Sequence, residues 1–175
     1  IKGTQPANSQ AFGVKDQAEN VMIVDLVRND LSRIAEKGSV KVDELCGIYS
    51  FPTVHQMIST VSCELKKNTS FSDILKATFP MGSMTGAPKK AAVELAEKHE
   101  GFSRGFYSGS MGVIYPNSDF DLNVLIRTLV YERKTRKLSC GVGGAITMLS
   151  DAEAEYEECR IKVGKILSLF GPCQW

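Results

Sequence analysis

Asp121-Leu-Asn-Val-Leu-Ile-Arg-Thr-Leu-Val-Tyr131 alternates between two faces. Leu122, Val124, Ile126, Thr128 and Val130 share one side, and Asn123, Leu125, Arg127 and Leu129 share the other. A period of two belongs to a β-strand. The stretch is therefore predicted as one strand within an antiparallel meander over residues 107–147. Nearer the start of the chain the pattern changes. Residues 16–30 hold Val21, Met22, Ile23, Val24, Leu26 and Val27 and lack Gly and Pro. They are predicted as a helix buried on more than one side. Residues 39–65 return to β-type patterning, with Val40 and Val42 alternating and a β-branched run from Val54 to Val61.

Local signals place three more helices. Ser70 and Asp73 have capping-box spacing for a short helix. Pro88 stands where a helix can start, before Lys89–Lys98. Ser150 and Glu153 are read as the capping box of a last helix reaching to about Phe170. Strand runs mix with helices and show no regular βαβ alternation. The predicted class is α+β with substantial antiparallel sheet.

At 175 residues, the chain is long enough for one compact domain with its own core. Its 21 Lys and Arg against 20 Asp and Glu give a net charge of +1. Such a balance offers neither a nucleic-acid groove nor a polybasic membrane patch. No apolar run approaches the ~20 residues of a membrane span. Five cysteines without CxxC spacing argue against a disulfide framework or a zinc site and fit a reducing cytoplasm. The first residue is Ile1 rather than Met, and the chain is read as a fragment.

The last helix concentrates charge. Asp151, Glu155, Glu158 and Lys162 recur at 3–4 spacing on one face; Tyr156, Cys159, Val163, Ile166, Leu167 and Phe170 recur on another, expected to face the core. Two carboxylates one turn apart either bind a hard cation such as Mg²⁺ or form a solvated face with a Glu158–Lys162 pair. Glu19 is open to the same two readings, metal ligand or helix-start carboxylate. Asp25, Arg28, Asn29 and Asp30 form either a buried network or a solvated edge. Arg127, mid-strand among apolar neighbours, requires a fixed carboxylate or a ligand carboxylate if buried. Gly141-Val-Gly-Gly144 and Gly82-Ser-Met-Thr-Gly-Ala-Pro88 bring backbone donors near an anion or simply turn the chain. His55 is either structural or part of a site, and His99 is read as a surface residue.

Taken in order, Ile1-Lys-Gly-Thr4, Ala18-Glu-Asn-Val-Met-Ile-Val-Asp-Leu-Val-Arg-Asn-Asp30, Phe51-Pro-Thr-Val-His55, Gly82-Ser-Met-Thr-Gly-Ala-Pro-Lys89, Ile126-Arg-Thr128 and Glu155-Tyr-Glu-Glu158 resemble the chorismate-utilising enzymes. The resemblance covers nearly the whole chain. It implies the C-terminal portion of their layered chorismate-binding fold, with residues 1–175 forming part of one domain. The missing N-terminal part would supply the rest of the fold and an acidic residue assisting hydroxyl departure.

The resemblance also implies a site. Glu19, Glu155 and Glu158 fall at or beside Mg²⁺-ligand positions. Gly3, Thr4, His55, Thr85, Tyr107, Arg127, Gly143, Gly144, Ala145 and Lys162 fall on substrate-contact positions, Ala145 replacing a usual glycine. Lys2 implies the subgroup that makes 4-amino-4-deoxychorismate toward para-aminobenzoate and folate, where the lysine attacks the ring. Chorismate, ammonia and a glutamine amidotransferase subunit are the implied partners. Anthranilate synthesis, and a folded but non-catalytic fragment, are the competing readings.

Overall fold

The computed structural model describes residues 1–8, 12–148 and 150–171. Its elements run β1 Thr4–Pro6, α1 Val14–Ser32, β2 Lys41–Ser50, β3 Val54–Ser62, α2 Phe71–Thr78, α3 Gly82–Thr85, α4 Lys89–His99, β4 Ser110–Ile114, β5 Phe120–Val124, β6 Leu129–Glu132, β7 Lys137–Cys140 and α5 Ala152–Leu167, with a 3-10 turn at Ser168–Phe170. All strand ladders are antiparallel, which makes the class α+β. The chain divides into two compact units, Ile1–Gly101 and Phe102–Trp175.

In the first unit, β1, β3 and β2 form a sheet in that order. Helix α1 packs on β2 and β3 and also meets α2 and α3. Phe12, Val24, Leu26, Ile34, Ala35, Met57 and Ala77 are the buried apolar residues. Helix α1 is longer than residues 16–30 at both ends. Asp16 secures its start by accepting the Gly13 N–H at 3.0 Å. Asn20, Val24, Leu26 and Asp30 are buried, with α1 covered by the sheet and also by α2 and α3, whereas Val21 and Met22 are exposed. Burial on more than one side agrees with expectation, but it does not take in the whole apolar run.

Helix α2 starts as its sequence predicts. Ser70 Oγ accepts the Asp73 N–H at 3.2 Å, and Asp73 accepts the Ser70 N–H at 3.0 Å. Pro88 precedes α4 directly. Gly82 allows α3 to lie against α1, because a Cβ there would meet Leu26 Cδ2 at 2.6 Å.

The second unit departs further from expectation. Its strands form two separate hairpins, β4–β5 and β6–β7, rather than one meander. Asp121–Tyr131 is not one strand: β5 ends at Val124 and β6 begins at Leu129. Between them the Leu125 N–H donates to Gly109 O at 2.9 Å, the Ile126 N–H turns back to Val124 O at 3.0 Å, and Arg127 adopts φ 50°. Residues 141–147 form no strand.

Helix α5 is capped one residue later than expected. Asp151 is the N-cap and accepts the Ala154 N–H at 3.0 Å. Ser150 instead accepts the Thr147 N–H and donates to Glu155. The buried stripe of α5 runs through Glu155 and Val163, whereas Tyr156 and Phe170 are exposed. Two adjacent capping residues compete at this start, and the Asp151 carboxylate wins.

Candidate active site

The first unit gathers Lys2, Gly3, Thr4, Glu19 and His55 around β1 and β3. Lys2 is fixed at both backbone ends: its N–H donates to Met57 O at 3.1 Å, and its carbonyl accepts the Asn20 amide at 2.9 Å. Its ammonium lies 3.1 Å from Glu19 Oε2, with both side chains largely covered. Lys15 reaches the other Glu19 oxygen at 4.0 Å. Glu19 occupies the second turn of α1 rather than its start.

Gly3 carries φ +109°, a conformation that disfavours any side chain, and a Cβ there would stand 3.2 Å from both Met57 Cβ and Phe12 Cε1. Thr4 pairs with Gln56 across the ladder. His55 Nε2 faces Ala7 O at 3.0 Å, and Nδ1 faces Ser50 Oγ at 2.9 Å. A carbonyl only accepts, so Nε2 carries a proton toward Ala7 O. Thr85, in α3, turns its hydroxyl toward Met81 O and Gly82 O at 3.4 Å each.

At the far end of α1 the polar cluster splits. Asp25 and Arg28 form an exposed pair at 2.9 Å, whereas Asp30 is buried and bound by Lys89 Nζ at 2.6 Å. Asp30 thus follows the buried-network reading and Asp25 the solvated-edge reading.

The second unit gathers Tyr107, Gly143, Gly144, Glu155, Glu158 and Lys162. The tyrosine explains two glycines. A Cβ on Gly141 would stand 2.4 Å from Tyr107 Cγ, and one on Gly143 would stand 2.7 Å from its hydroxyl. Arg104 lies over the same ring, 5.8 Å from its centre. Lys162 Nζ bonds Gly143 O at 3.0 Å and Glu158 Oε1 at 2.6 Å. Glu155 is 8% exposed and accepts the Ser150 hydroxyl at 2.7 Å. A Cβ on Gly144 would approach Glu155 Oε2 to 3.0 Å. Ala145 O receives a long contact from Ser150 Oγ at 3.4 Å.

The mid-strand placement expected for Arg127 is corrected. It is exposed, sits in a strand break rather than mid-strand, and has no protein hydrogen-bond or ion-pair partner among the described residues.

Sequence reasoning passed over Asn20 and Ser59. Both engage the Lys2 anchorage directly or at one remove. The available signal was an amide between Glu19 and the start of the apolar run of α1.

The implied metal can be tested by donor chemistry. Glu19, Glu155 and Glu158 offer the carboxylate oxygens a hard cation prefers, and Glu19 and Glu158 already draw lysine ammoniums. Glu19 lies in the first unit, and Glu155 and Glu158 lie in the second. Among the described residues, no three His, Cys, Asp or Glu side chains form a metal-binding cluster.

Residues 11–168 match the chorismate binding enzyme family, and the chain belongs to it. It is 49% identical over 148 residues to the chloroplastic aminodeoxychorismate synthase of Arabidopsis thaliana, covering 85% of this chain and 16% of that protein. It is 42% identical over 178 residues to aminodeoxychorismate synthase component 1 of Escherichia coli K12, covering 95% of this chain and 39% of that protein. The fold is similar to the crystal structure of anthranilate synthase component I from Streptococcus pneumoniae, with a TM-score of 0.71 at 34% identity over 86% of this chain and 34% of that one. The chain thus spans well under half the length of these relatives. No helix among the described residues is long and apolar enough to cross a membrane, and Cys46, Cys63, Cys140 and Cys159 are free thiols.

Proposed function

We propose that the full-length protein converts chorismate and ammonia to 4-amino-4-deoxychorismate, with Lys2 as covalent nucleophile. The observation that supports this most is the anchored lysine. A loose terminal lysine would have no fixed backbone; Lys2 is held by Met57 and Asn20, and its amine faces Glu19. The names of the Arabidopsis and Escherichia coli relatives support the same product.

An amine attacks only when neutral, so Lys2 first gives up a proton. Its nitrogen then bonds to C2 of chorismate, the ring double bonds shift, and the C4 hydroxyl leaves as water. Ammonia adds at C4, the double bonds shift back, and the C2–N bond breaks to return the lysine. The sum is chorismate plus ammonia giving 4-amino-4-deoxychorismate plus water.

Arg127 offers an exposed planar guanidinium to a substrate carboxylate. Lys162 provides a second cation beside the glycine segment Gly143, Gly144 and Ala145. Gly3, Thr4, His55, Thr85 and Tyr107 are assigned to substrate contact on the resemblance. On the resemblance, Glu19, Glu155 and Glu158 would hold Mg²⁺, which when bound would neutralise charge on the substrate carboxylate. The label "component 1" on the bacterial relative supports a second subunit, which we assign as a glutamine amidotransferase delivering ammonia. A role toward folate and a reducing compartment such as the cytoplasm complete the reading, the plant relative's name placing that protein in the chloroplast.

Chromatography of products tests it. The full-length protein supplied with chorismate, Mg²⁺ and an ammonium salt yields 4-amino-4-deoxychorismate, and Lys2→Ala slows the reaction and shifts residual amination toward C2. Release of anthranilate by the unmodified protein overturns the reading in favour of anthranilate synthesis.

A further inference from the structure

Asn20 is 2% exposed, among the most buried side chains of the molecule. Its Nδ2 donates to Lys2 O at 2.9 Å and to Met57 O at 3.4 Å. Both partners are carbonyls and only accept, so the orientation of the amide is fixed by chemistry. Its Oδ1 accepts from Ser59 Oγ at 2.5 Å and lies 3.7 Å from Cys46 Sγ. Ser59 Oγ also accepts the Cys46 N–H at 2.8 Å. Cys46 stands where the β2–β3 register slips, with φ 55°. The bulge therefore turns a backbone donor onto Ser59, which in turn locks the amide.

Every hydrogen-bonding capacity of Asn20 is occupied. An apolar residue would fill a mere packing position without needing those four contacts, because a buried amide is tolerated only when satisfied. Here the satisfied amide ends on the carbonyl of Lys2. The next residue, Gly3, is pinned by the Met57 N–H on its carbonyl at 3.0 Å.

We propose that Asn20 is a positioning residue for Lys2. It fixes the Lys2 main chain so that the amine reaches the substrate ring from one defined origin, with Ser59 and Cys46 holding the amide in register. The inference rests on the covalent role of Lys2. Loosening this anchor slows bond formation at C2 and leaves C2 open to ammonia.

The test uses the full-length protein with chorismate and Mg²⁺. The rate of adduct formation on Lys2 is followed by quenched intact-protein mass spectrometry without ammonia, and the ratio of C4 to C2 amination is measured with ammonium present. Asn20→Ala is expected to slow adduct formation about 10-fold, the worth of roughly one good hydrogen bond, and to raise the C2 share. Ser59→Ala, which removes the donor to the Asn20 amide oxygen, is expected to slow it about 3-fold, while Ser59→Thr keeps the hydroxyl and restores the rate. A generally weakened fold would not move the amination ratio. Folded Asn20→Ala with the unaltered rate and ratio overturns the proposal. If that variant does not fold, equal rates for Ser59→Ala and Ser59→Thr overturn it. Absence of any adduct on unmodified Lys2 is a different result and removes the covalent reading beneath it as well.

Discussion

Lys89→Met is expected to destabilise the protein by about 2–3 kcal/mol. The Asp30 side chain is 4% exposed and that of Lys89 is 17% exposed, and their charged atoms lie 2.6 Å apart. The second oxygen of Asp30 is buried with no hydrogen-bond partner among the described residues, so the lysine is the main compensation for the carboxylate. Removing one partner of a fully buried pair costs about 3–5 kcal/mol, chiefly because the other charge is stranded. The lysine is not fully buried, which trims the figure. Met preserves most of the stem length and its packing. In Asp30→Asn/Lys89→Met no charge is stranded, and the loss should fall to about 1 kcal/mol, about 1–2 kcal/mol less than for Lys89→Met alone. Urea unfolding followed by far-UV circular dichroism measures both at unchanged m-value. A single variant within about 0.5 kcal/mol of the unmodified protein, or a double variant as damaged as the sum of the singles, would refute the reasoning. The pair joins α1 to the first turn of α4, just beyond the Gly82–Pro88 segment that carries Thr85.

Arg127→Lys keeps the charge but loses the planar fork; kcat/KM for chorismate should fall by about 2–4 kcal/mol equivalent, and unchanged kinetics would remove Arg127 from the site. Gly141→Ala would place a methyl 2.4 Å from Tyr107 Cγ; overpacking of about 1–3 kcal/mol should appear as a lower Tm with an altered near-UV tyrosine signal. The Asp73 carboxyl is held below its ordinary value of 3.8, first by the Ser70 hydroxyl and then by the Ser70 N–H. A depressed folded value stabilises above 3.8 and loses that contribution as pH falls through the folded value. Ser70→Ala should therefore flatten the acid limb of stability below about pH 4, and an unaltered acid limb would contradict the assignment.

Local chemistry was legible in the sequence where it was self-contained. Ser70 and Asp73 cap α2 with atoms three residues apart, so their spacing sufficed. The break after Val124 was not legible. Alternation reports which way side chains point, but the strand ends because the Ile126 N–H turns back to Val124 O and Arg127 turns to positive φ. Glu155 looked like part of a polar face because charge recurs around it. Its burial depends on Ser150, released from capping by Asp151. Lys2 was legible only through the motif surrounding it. Asn20 escaped notice because its partners, Lys2 and Ser59, are far from it in sequence and meet it only once α1 lies on the sheet.

The central claim is a bond between Lys2 and the substrate ring. Its most direct test is peptide mapping of the full-length protein after incubation with chorismate and Mg²⁺ and no ammonia, followed by rapid denaturation. The account predicts a mass increase of one chorismate less one water on the peptide carrying Lys2, absent in Lys2→Ala and lost when ammonium is added before the quench. An unmodified Lys2 peptide from protein that nonetheless makes 4-amino-4-deoxychorismate when ammonium is supplied would contradict it.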